Sequence, residues 1–281
     1  MDKRRLDTLL TERGLFPSRS RAAASVMAGE VRVGAGDRRA SKPSELVDVQ
    51  ERVVVQSQPR FVSRGGIKLA NALDACGLEV EGRLALDVGA STGGFSDCLL
   101  QRGARGVIAV DVGYGILDYR LRSDERVRVL ERTNARALTP AMLLSPGAEE
   151  GQRGAGQRPD LATVDVSFIS LEKVLAAVLG CLGAGYDVLA LVKPQFELGR
   201  GRVGKGGVVR SGEDRREALL GAGQAALALG AAVRGYYSSG LPGPKGNRET
   251  FIWLSDPSDT ASARGARDEA ELEALAREVE P

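Results

Sequence analysis

The stretch that most constrains the fold is Leu84 to Phe95, which reads L-A-L-D-V-G-A-S-T-G-G-F. A short apolar run, Leu84 to Leu86, ends in Asp87, and Gly89, Gly93 and Gly94 then crowd one turn ahead of the helix-like F-S-D-C-L-L. The order is strand, glycine turn, helix. Glycines at such a turn tolerate positive φ and let backbone N–H groups approach a ligand with no Cβ in the way. On an α/β sheet this is where a nucleotide-like cofactor lies, so Asp87, Gly89, Ala90, Ser91, Thr92, Gly93, Gly94 and Phe95 are candidate cofactor contacts. The spacing G-x-x-x-G-G departs from G-x-G-x-x-G, and no Lys-Ser/Thr follows as a P-loop requires. A second apolar run, G-V-I-A-V, leads into Asp111, about 20 residues beyond the glycines, the separation at which an acid binds ribose hydroxyls. A merely structural turn does not explain why both strands are capped by a carboxylate.

From Leu84 onward strands and helices alternate. Strands are expected near 84–88, 107–111, 127–131, 161–165, 187–192, 232–237 and 249–254, and helices near 94–102, 139–144, 170–182 and 213–229. Seven strands with crossover helices predict an α/β fold with a mostly parallel sheet covered on both faces. Ser145 to Arg158, rich in Gly, Gln and charge, reads as a surface insertion. The tail from Pro257, rich in alanine and glutamate, reads as a frayed, mobile helix outside the core.

Charge is uneven although the net value is only +2. Residues 1–64 hold 13 Lys/Arg against 8 Asp/Glu, whereas residues 256–281 hold 3 against 8. A basic head gives an electrostatic reason to meet polyanions. Cys76, Cys98 and Cys181 form no C-x-x-C pair, which argues for a reducing, cytoplasmic setting and against a zinc site. The chain has no histidine, so proton transfer falls to Lys, Asp, Glu or Tyr, and no metal requirement is expected. No secretory signal opens the chain, and the longest uncharged run, the 16 residues Ala218 to Val233, is shorter than a membrane span and suits a buried helix against a sheet.

In the head, Leu6, Leu9 and Leu10 mark one face of a first helix over residues 4–13, with Arg4, Arg5, Glu12 and Arg13 mostly opposite. Pro17-Ser18 opens a second helix through Met27, with Ser18 as N-cap and Gly29 as stop, and Arg19 and Arg21 stand near its start within reach of phosphates. Short valine-rich strands follow. L-D-T-L-L, S-R-S-R-A and G-E-V-R-V resemble the S4-type RNA-binding domain over about residues 3–55. Pro59-Arg60-Phe61-Val62 marks a hinge, and a helix from Ser63 to Cys76 presents Leu69, Ala72 and Leu73 inward.

Three more stretches carry chemistry. T-V-D-V-S-F-I places Asp165 at the end of the fourth strand, L-A-L-V-K-P-Q-F places Lys193 at the end of the fifth, and G-N-R-E-T-F places Glu249 at the start of the last. If that last strand is antiparallel, Glu249 returns to the same rim, where Lys68 enters from the helix ahead of the first strand. Two lysines and two carboxylates are thereby expected to converge beside the cofactor. G-R-G-R-V-G-K, residues 199–205, mimics both G-x-G-x-x-G and the start of a Walker A motif. It begins several residues past its strand and has Gly206 where Ser/Thr would hold magnesium, so it reads as a flexible basic loop over the site, with Lys205 toward RNA phosphates.

Together, S-R-G-G-x-K-L, L-D-V-G-A-S-T-G-G-F, V-D-V-S-F-I-S-L, L-V-K-P-Q-F-E, V-G-K-G-G-V-V-R and the late G-N-x-E resemble the TlyA family of FtsJ-like RNA methyltransferases over about residues 3–254. That resemblance implies a small α+β S4-type domain over 1–58, a linker over 59–64, a Rossmann-like methyltransferase domain using S-adenosylmethionine over 65–256, and an acidic tail over 257–281. It further implies 2′-O-methylation of cytidine in ribosomal RNA within ribosomal subunits, with Lys68, Asp165, Lys193 and Glu249 as the family's Lys-Asp-Lys-Glu tetrad. Gly89 to Gly94 would then meet the methionine end of the cofactor, Asp111 the adenosine ribose and Asn134 the adenine. Arg4, Arg5, Arg19, Arg21, Arg64 and Lys205 are the RNA-contact candidates. Lys193, beside the cationic Lys68 and a sulfonium, would be pushed toward the neutral amine and serve as base, with Asp165 orienting it, Lys68 steadying the alkoxide and Glu249 positioning.

Competing readings differ in what they need. An NAD-dependent dehydrogenase shares the glycine turn and Asp111 but has no use for an RNA-binding head. A membrane-active haemolysin, a label that relatives have carried, needs an export signal, a spanning segment or a strongly amphipathic pore helix, none of which is read in the sequence. A catalytically idle RNA-binding module has no need of the tetrad.

Overall fold

The computed structural model describes residues 2–55, 60–143, 158–204, 206–243, 245–258, 266 and 268–280. Lys205, and all of the expected insertion except Arg158, lie outside the described residues. The chain divides into two units, Met1–Arg60 and Phe61–Pro281.

The smaller unit runs β1 (Lys3–Arg5), α1 (Leu6–Glu12), α2 (Arg19–Ala28), β2 (Val31–Val33), β3 (Arg38–Arg39), β4 (Leu46–Asp48) and β5 (Val53–Val55). Leu6, Leu9 and Leu10 are buried with Ala22, Val26, Val31, Val33 and Val47, so one stripe of α1 closes over the small strands. At the start of α2 the Ser18 hydroxyl accepts from the Arg21 backbone N–H, and past its end Gly29 adopts a φ of 79°. One expectation changes here. Arg4 and Arg5 are not on a helix: Lys3–Arg5 pair antiparallel with Leu46–Asp48, and the helix starts only at Leu6. The backbone partners in β4 are 41 to 45 positions away along the chain, a contact that local periodicity does not encode.

The larger unit runs α3 (Arg64–Cys76), β6 (Leu84–Val88), α4 (Gly94–Gln101), β7 (Gly106–Val110), α5 (Tyr119–Arg122), β8 (Val127–Leu130), β9 (Leu161–Val164), α6 (Glu172–Cys181), β10 (Asp187–Val192), α7 (Pro194–Glu197), α8 (Gly212–Ala228), β11 (Ala232–Ser238), β12 (Thr250–Ser255) and α9 (Glu269–Val279). Among the described residues the strands form one seven-stranded sheet in the order β11-β12-β10-β9-β6-β7-β8. β8, β7, β6, β9 and β10 are parallel, and β12 is antiparallel to both β10 and β11. The expected helix over 139–144 is instead a short 3-10 turn, Pro140–Leu143.

The strands are apolar on both sides because both sides are covered. Leu86, Val88, Ile108, Val110, Val188, Ala190 and Val192 face a layer that includes α6, α8 and α9. Ala85, Val107, Ala109, Leu189 and Leu191 face α3 and α4. Two boundaries move accordingly. Residues 61–64 are not a free linker: Phe61 is buried in the second layer, with its ring where a Cβ on Gly66 would fall 2.3 Å away, and the Val62 N–H donates to Asp97.

The acidic tail also differs from expectation, since α9 is part of the body. Leu272 and Ala276 are fully buried in the first layer, Gly223 on α8 leaves room for Leu272, and the Glu280 carboxylate takes paired hydrogen bonds from Arg215 at 2.8 and 2.7 Å. A period of about four residues in L-E-A-L-A had the apolar stripe, but its charged composition hid it. Leu272→Ala is therefore expected to cost about 2–5 kcal/mol in a urea unfolding titration. A loss below about 0.5 kcal/mol, the size of a surface substitution, would return the tail to the outside of the core.

Candidate active site

The sheet reverses its winding between β6 and β9, and ligands of doubly wound sheets lie in the crevice outside such a switch point. Gly89 leaves β6 there with a φ of 85°, and a Cβ on it would fall 2.4 Å from the Asp165 carbonyl oxygen. The crevice floor is thus two backbones in contact. Gly93, with a φ of 95°, is closed in by Leu117 and Leu121, and a Cβ on Gly94 would meet Ser63 Oγ at 2.2 Å. This last contact abuts the start of α4 on the start of α3, which carries Lys68, one turn in, to the glycine turn.

Three cavities meet over this floor, and Gly89, Ser91 and Asp165 line all of them. One, of about 350 Å³, is bounded by Ala90, Thr92, Gly94, Phe95, Arg64 and Lys68. A second, of about 330 Å³, lies over Asp111, Thr133 and Asn134. The third and largest, of about 560 Å³, holds Lys68, Lys193 and Glu249 together with Ser167, Phe168 and Gln195. The first two have the chemistry of a site for an adenosyl amino acid: a glycine turn at one end and a strand-end carboxylate at the other. Asp111 accepts from the Ser91 N–H at 2.8 Å and the Gly113 N–H at 2.7 Å, one bond to each carboxylate oxygen, and lines the second cavity. Asn134 accepts from the Arg136 N–H and borders the same cavity.

Asp87 is the expected cofactor contact that the structure relocates. It is 0% exposed, lines none of these three cavities, and accepts from the Ser96 hydroxyl at 2.6 Å and the Thr163 hydroxyl at 2.9 Å. It ties β6 to β9 and α4 beneath the glycine turn. Burial, partly offset by these two hydroxyls, pushes its carboxyl up to about 6. Below the ordinary value of 3.8 both folded and unfolded chains hold the proton; between 3.8 and about 6 only the folded chain does, so this group's contribution falls as pH rises through that window. The full penalty, on the order of 3 kcal/mol, is in place above the window. Asp87→Asn, whose amide can serve both hydroxyls, is expected to gain stability relative to the parent as pH is raised from 4 to about 7. A difference in melting temperature that stays constant over that range would contradict the assignment.

The four charged residues expected to converge do so, as two ion pairs. Lys68 Nζ meets Glu249 Oε2 in a buried, very short contact, and Lys193 Nζ lies 2.5 Å from Asp165 Oδ1 and 2.9 Å from Ser167 Oγ. Lys193 is thus set against a carboxylate and a hydroxyl, with Lys68 held by its own acid. Both lysines are brought in by regular elements, α3 and the end of β10, where Pro194 starts α7. Glu249 arrives because β12 runs antiparallel, and the turn ahead of it is locked by Asn247. That amide donates to the Gly207 carbonyl at 2.7 Å and accepts from the Val209 N–H at 2.9 Å, fastening the segment ahead of α8 to the rim.

Several wall residues carried no charge to flag them. Ser167 and Asn247 are neutral, and Phe168 is an apolar residue inside V-S-F-I. It is 89% exposed with a φ of 66°, its ring 5.2 Å from that of Phe196. Glu197 holds this wall from behind, accepting from Ser170 Oγ at 2.7 Å and the Leu171 N–H at 3.0 Å, and burial raises its carboxyl above the usual range. Of the RNA-contact candidates, Arg4, Arg5 and Arg19 each share an acid, Glu12 for the first and Asp7 for the other two, while Arg21 is exposed and Arg64 opens onto the glycine cavity.

Residues 61–256 match the FtsJ-like methyltransferase model, and residues 4–53 match the S4 domain. The 16S/23S rRNA (cytidine-2′-O)-methyltransferase TlyA of Mycobacterium tuberculosis is 47% identical over 94% of each chain. The chain belongs to the TlyA family of FtsJ-like methyltransferases. Hemolysin A of Brachyspira hyodysenteriae is 38% identical over 87% of this chain and 97% of its own. A solved protein of Streptococcus thermophilus that carries the name hemolysin superposes with a TM-score of 0.66 at 37% identity, over 99% of this chain and 97% of its own. Among the described residues of this TlyA-family chain, no helix is long and apolar enough to cross a membrane.

Proposed function

We propose that this chain transfers a methyl group from S-adenosylmethionine to the 2′-hydroxyl of a cytidine in ribosomal RNA within ribosomal subunits. The observation that carries the reading is the pair of lysine–carboxylate contacts on the wall of a cavity that opens onto the glycine crevice. A ribose hydroxyl is a poor nucleophile and needs its proton removed as it attacks. Bound S-adenosylmethionine supplies a methyl group on sulfur, so that a C–O bond forms as the C–S bond breaks and sulfur keeps the electron pair. Gly89 to Gly94 would hold its methionine end, Asp111 its ribose and Asn134 its adenine. Lys193 takes the hydroxyl proton, Asp165 anchors Lys193, Lys68 steadies the negative charge that builds on oxygen, and Glu249 sets the position of Lys68.

Exposed Phe168 at the cavity mouth offers a face on which a base splayed from single-stranded RNA can stack. The S4 unit, with Arg19 and Arg21 at the start of α2, and the basic loop with Lys205 and Arg64 suit phosphate contacts. Cytidine is taken from the activity carried in the name of the Mycobacterium tuberculosis relative. Mapping ribose methylation on ribosomal RNA from cells with and without this protein tests the reading: one or more 2′-O-methylcytidines should vanish with it, and an unchanged map would refute it.

A further inference from the structure

Lys193 is held by two groups of different kinds. Asp165 Oδ1 sits 2.5 Å from Nζ, yet this buried oxygen receives no aligned hydrogen bond, so the contact is one of charge and not of direction. Ser167 Oγ, at 2.9 Å, accepts the one well-directed hydrogen bond from Nζ among the described residues. Ser167 stands two positions past Asp165 on the turn leaving β9, on the wall shared by the reaction cavity and the adenosine cavity. A lysine side chain has four rotatable bonds, and attraction to a carboxylate alone leaves its nitrogen free to turn. Committing one N–H to a fixed hydroxyl removes most of that freedom, and leaves the tetrahedral nitrogen two directions, for the second N–H and the lone pair, beside the Asp165 carboxylate and the cavity.

We propose that Ser167 is a positioning residue for methyl transfer, whose hydroxyl aims the lone pair of the Lys193 amine at the ribose 2′-oxygen. The inference rests on Lys193 being the base. A neutral hydroxyl suits the task because it orients the amine without adding negative charge, whereas a second carboxylate there would favour the charged ammonium, which is no base. Among the described residues, the other charged groups lining this cavity are Lys68 on α3, Glu249 ahead of β12 and Lys245 on the turn before it, and Ser167 adds no charge to them.

The test compares Ser167→Ala, Ser167→Thr and Ser167→Asp with Lys193→Ala in the full-length protein, using single-turnover methyl transfer to unmodified ribosomal subunits and calorimetric titration of S-adenosylmethionine. Ser167→Ala is expected to lower the single-turnover rate about 10–100-fold, the scale of a misaligned reacting group, with the KM for subunits and the cofactor Kd within about twofold of the parent. Ser167→Thr, which keeps the hydroxyl, is expected to restore most of the rate. Ser167→Asp is expected to move the acidic limb of the pH–rate profile to higher pH. A parental rate in Ser167→Ala beside an inactive Lys193→Ala overturns the role of Ser167 and leaves the base in place. Loss of cofactor affinity matching the loss of rate makes Ser167 a cofactor contact and also overturns it. An active Lys193→Ala removes both assignments.

Discussion

Lys193→Ala is expected to lower methyl transfer about 10²–10⁴-fold, the usual contribution of a positioned base, while the affinity for S-adenosylmethionine stays within about threefold. The separation of the two effects follows from placement. Lys193 lines the largest cavity but neither of the two that follow the glycine turn and Asp111, whereas Lys68 lines the reaction cavity and the glycine cavity. Lys68→Ala should therefore disturb both readouts. Because removing Lys193 strands the Asp165 carboxylate without its cation, Lys193→Arg is the companion variant. It keeps a positive charge beside Asp165 but holds its proton at neutral pH, so it should be folded and equally slow. Rapid transfer by either variant, measured in a single turnover with labelled cofactor, would sink the assignment of the base.

Gly89→Ala is expected to abolish measurable cofactor binding and to lower stability by about 2 kcal/mol or more. Two costs coincide at this position. The φ of 85° lies where a Cβ is strained, and the new atom would fall 2.4 Å from the Asp165 carbonyl oxygen, a backbone atom that moves only with the end of β9. Gly77 separates them. It has a φ of 70° at the end of α3 with nothing within 4 Å of its would-be Cβ, so Gly77→Ala carries the strain without the collision. The expected result is a modest stability loss with normal cofactor binding for Gly77→Ala, and a larger loss with no binding for Gly89→Ala. Equal losses and equal binding in the two variants would mean that the close approach of the β6 and β9 ends plays no part in the site.

Much of the site was legible in the linear chain because charge is rare at the ends of buried strands. Asp165 and Lys193 stand out against T-V and L-A-L-V for that reason, and Asp111 against V-I-A-V. Asp87 misled by the same rule. It looks like Asp111 in sequence, but it is the fourth of five residues in β6 and its side chain turns toward α4, while Asp111 lies one step past β7 and faces the crevice. Ser167, Asn247 and Phe168 gave the opposite problem: neutral or apolar residues whose work depends on where a turn aims them.

Local physical chemistry therefore decided the parts of this protein that are short in range: the alternation of strand and helix, the glycine turn that only positive φ and close backbone approach explain, the caps of α2, and the charged residues at strand ends. The tertiary structure decided what depends on distant segments meeting. The partner of each lysine, the burial of Asp87, the entry of β1 into a strand pair and the docking of α9 through Leu272 are set by such contacts, and the ion pairs and hydrogen bonds that hold the two lysines join residues 26 to 181 positions apart. Neighbouring residues in sequence carry no record of such meetings, because burial and electrostatic pairing act through space and are assigned only when the sheet closes.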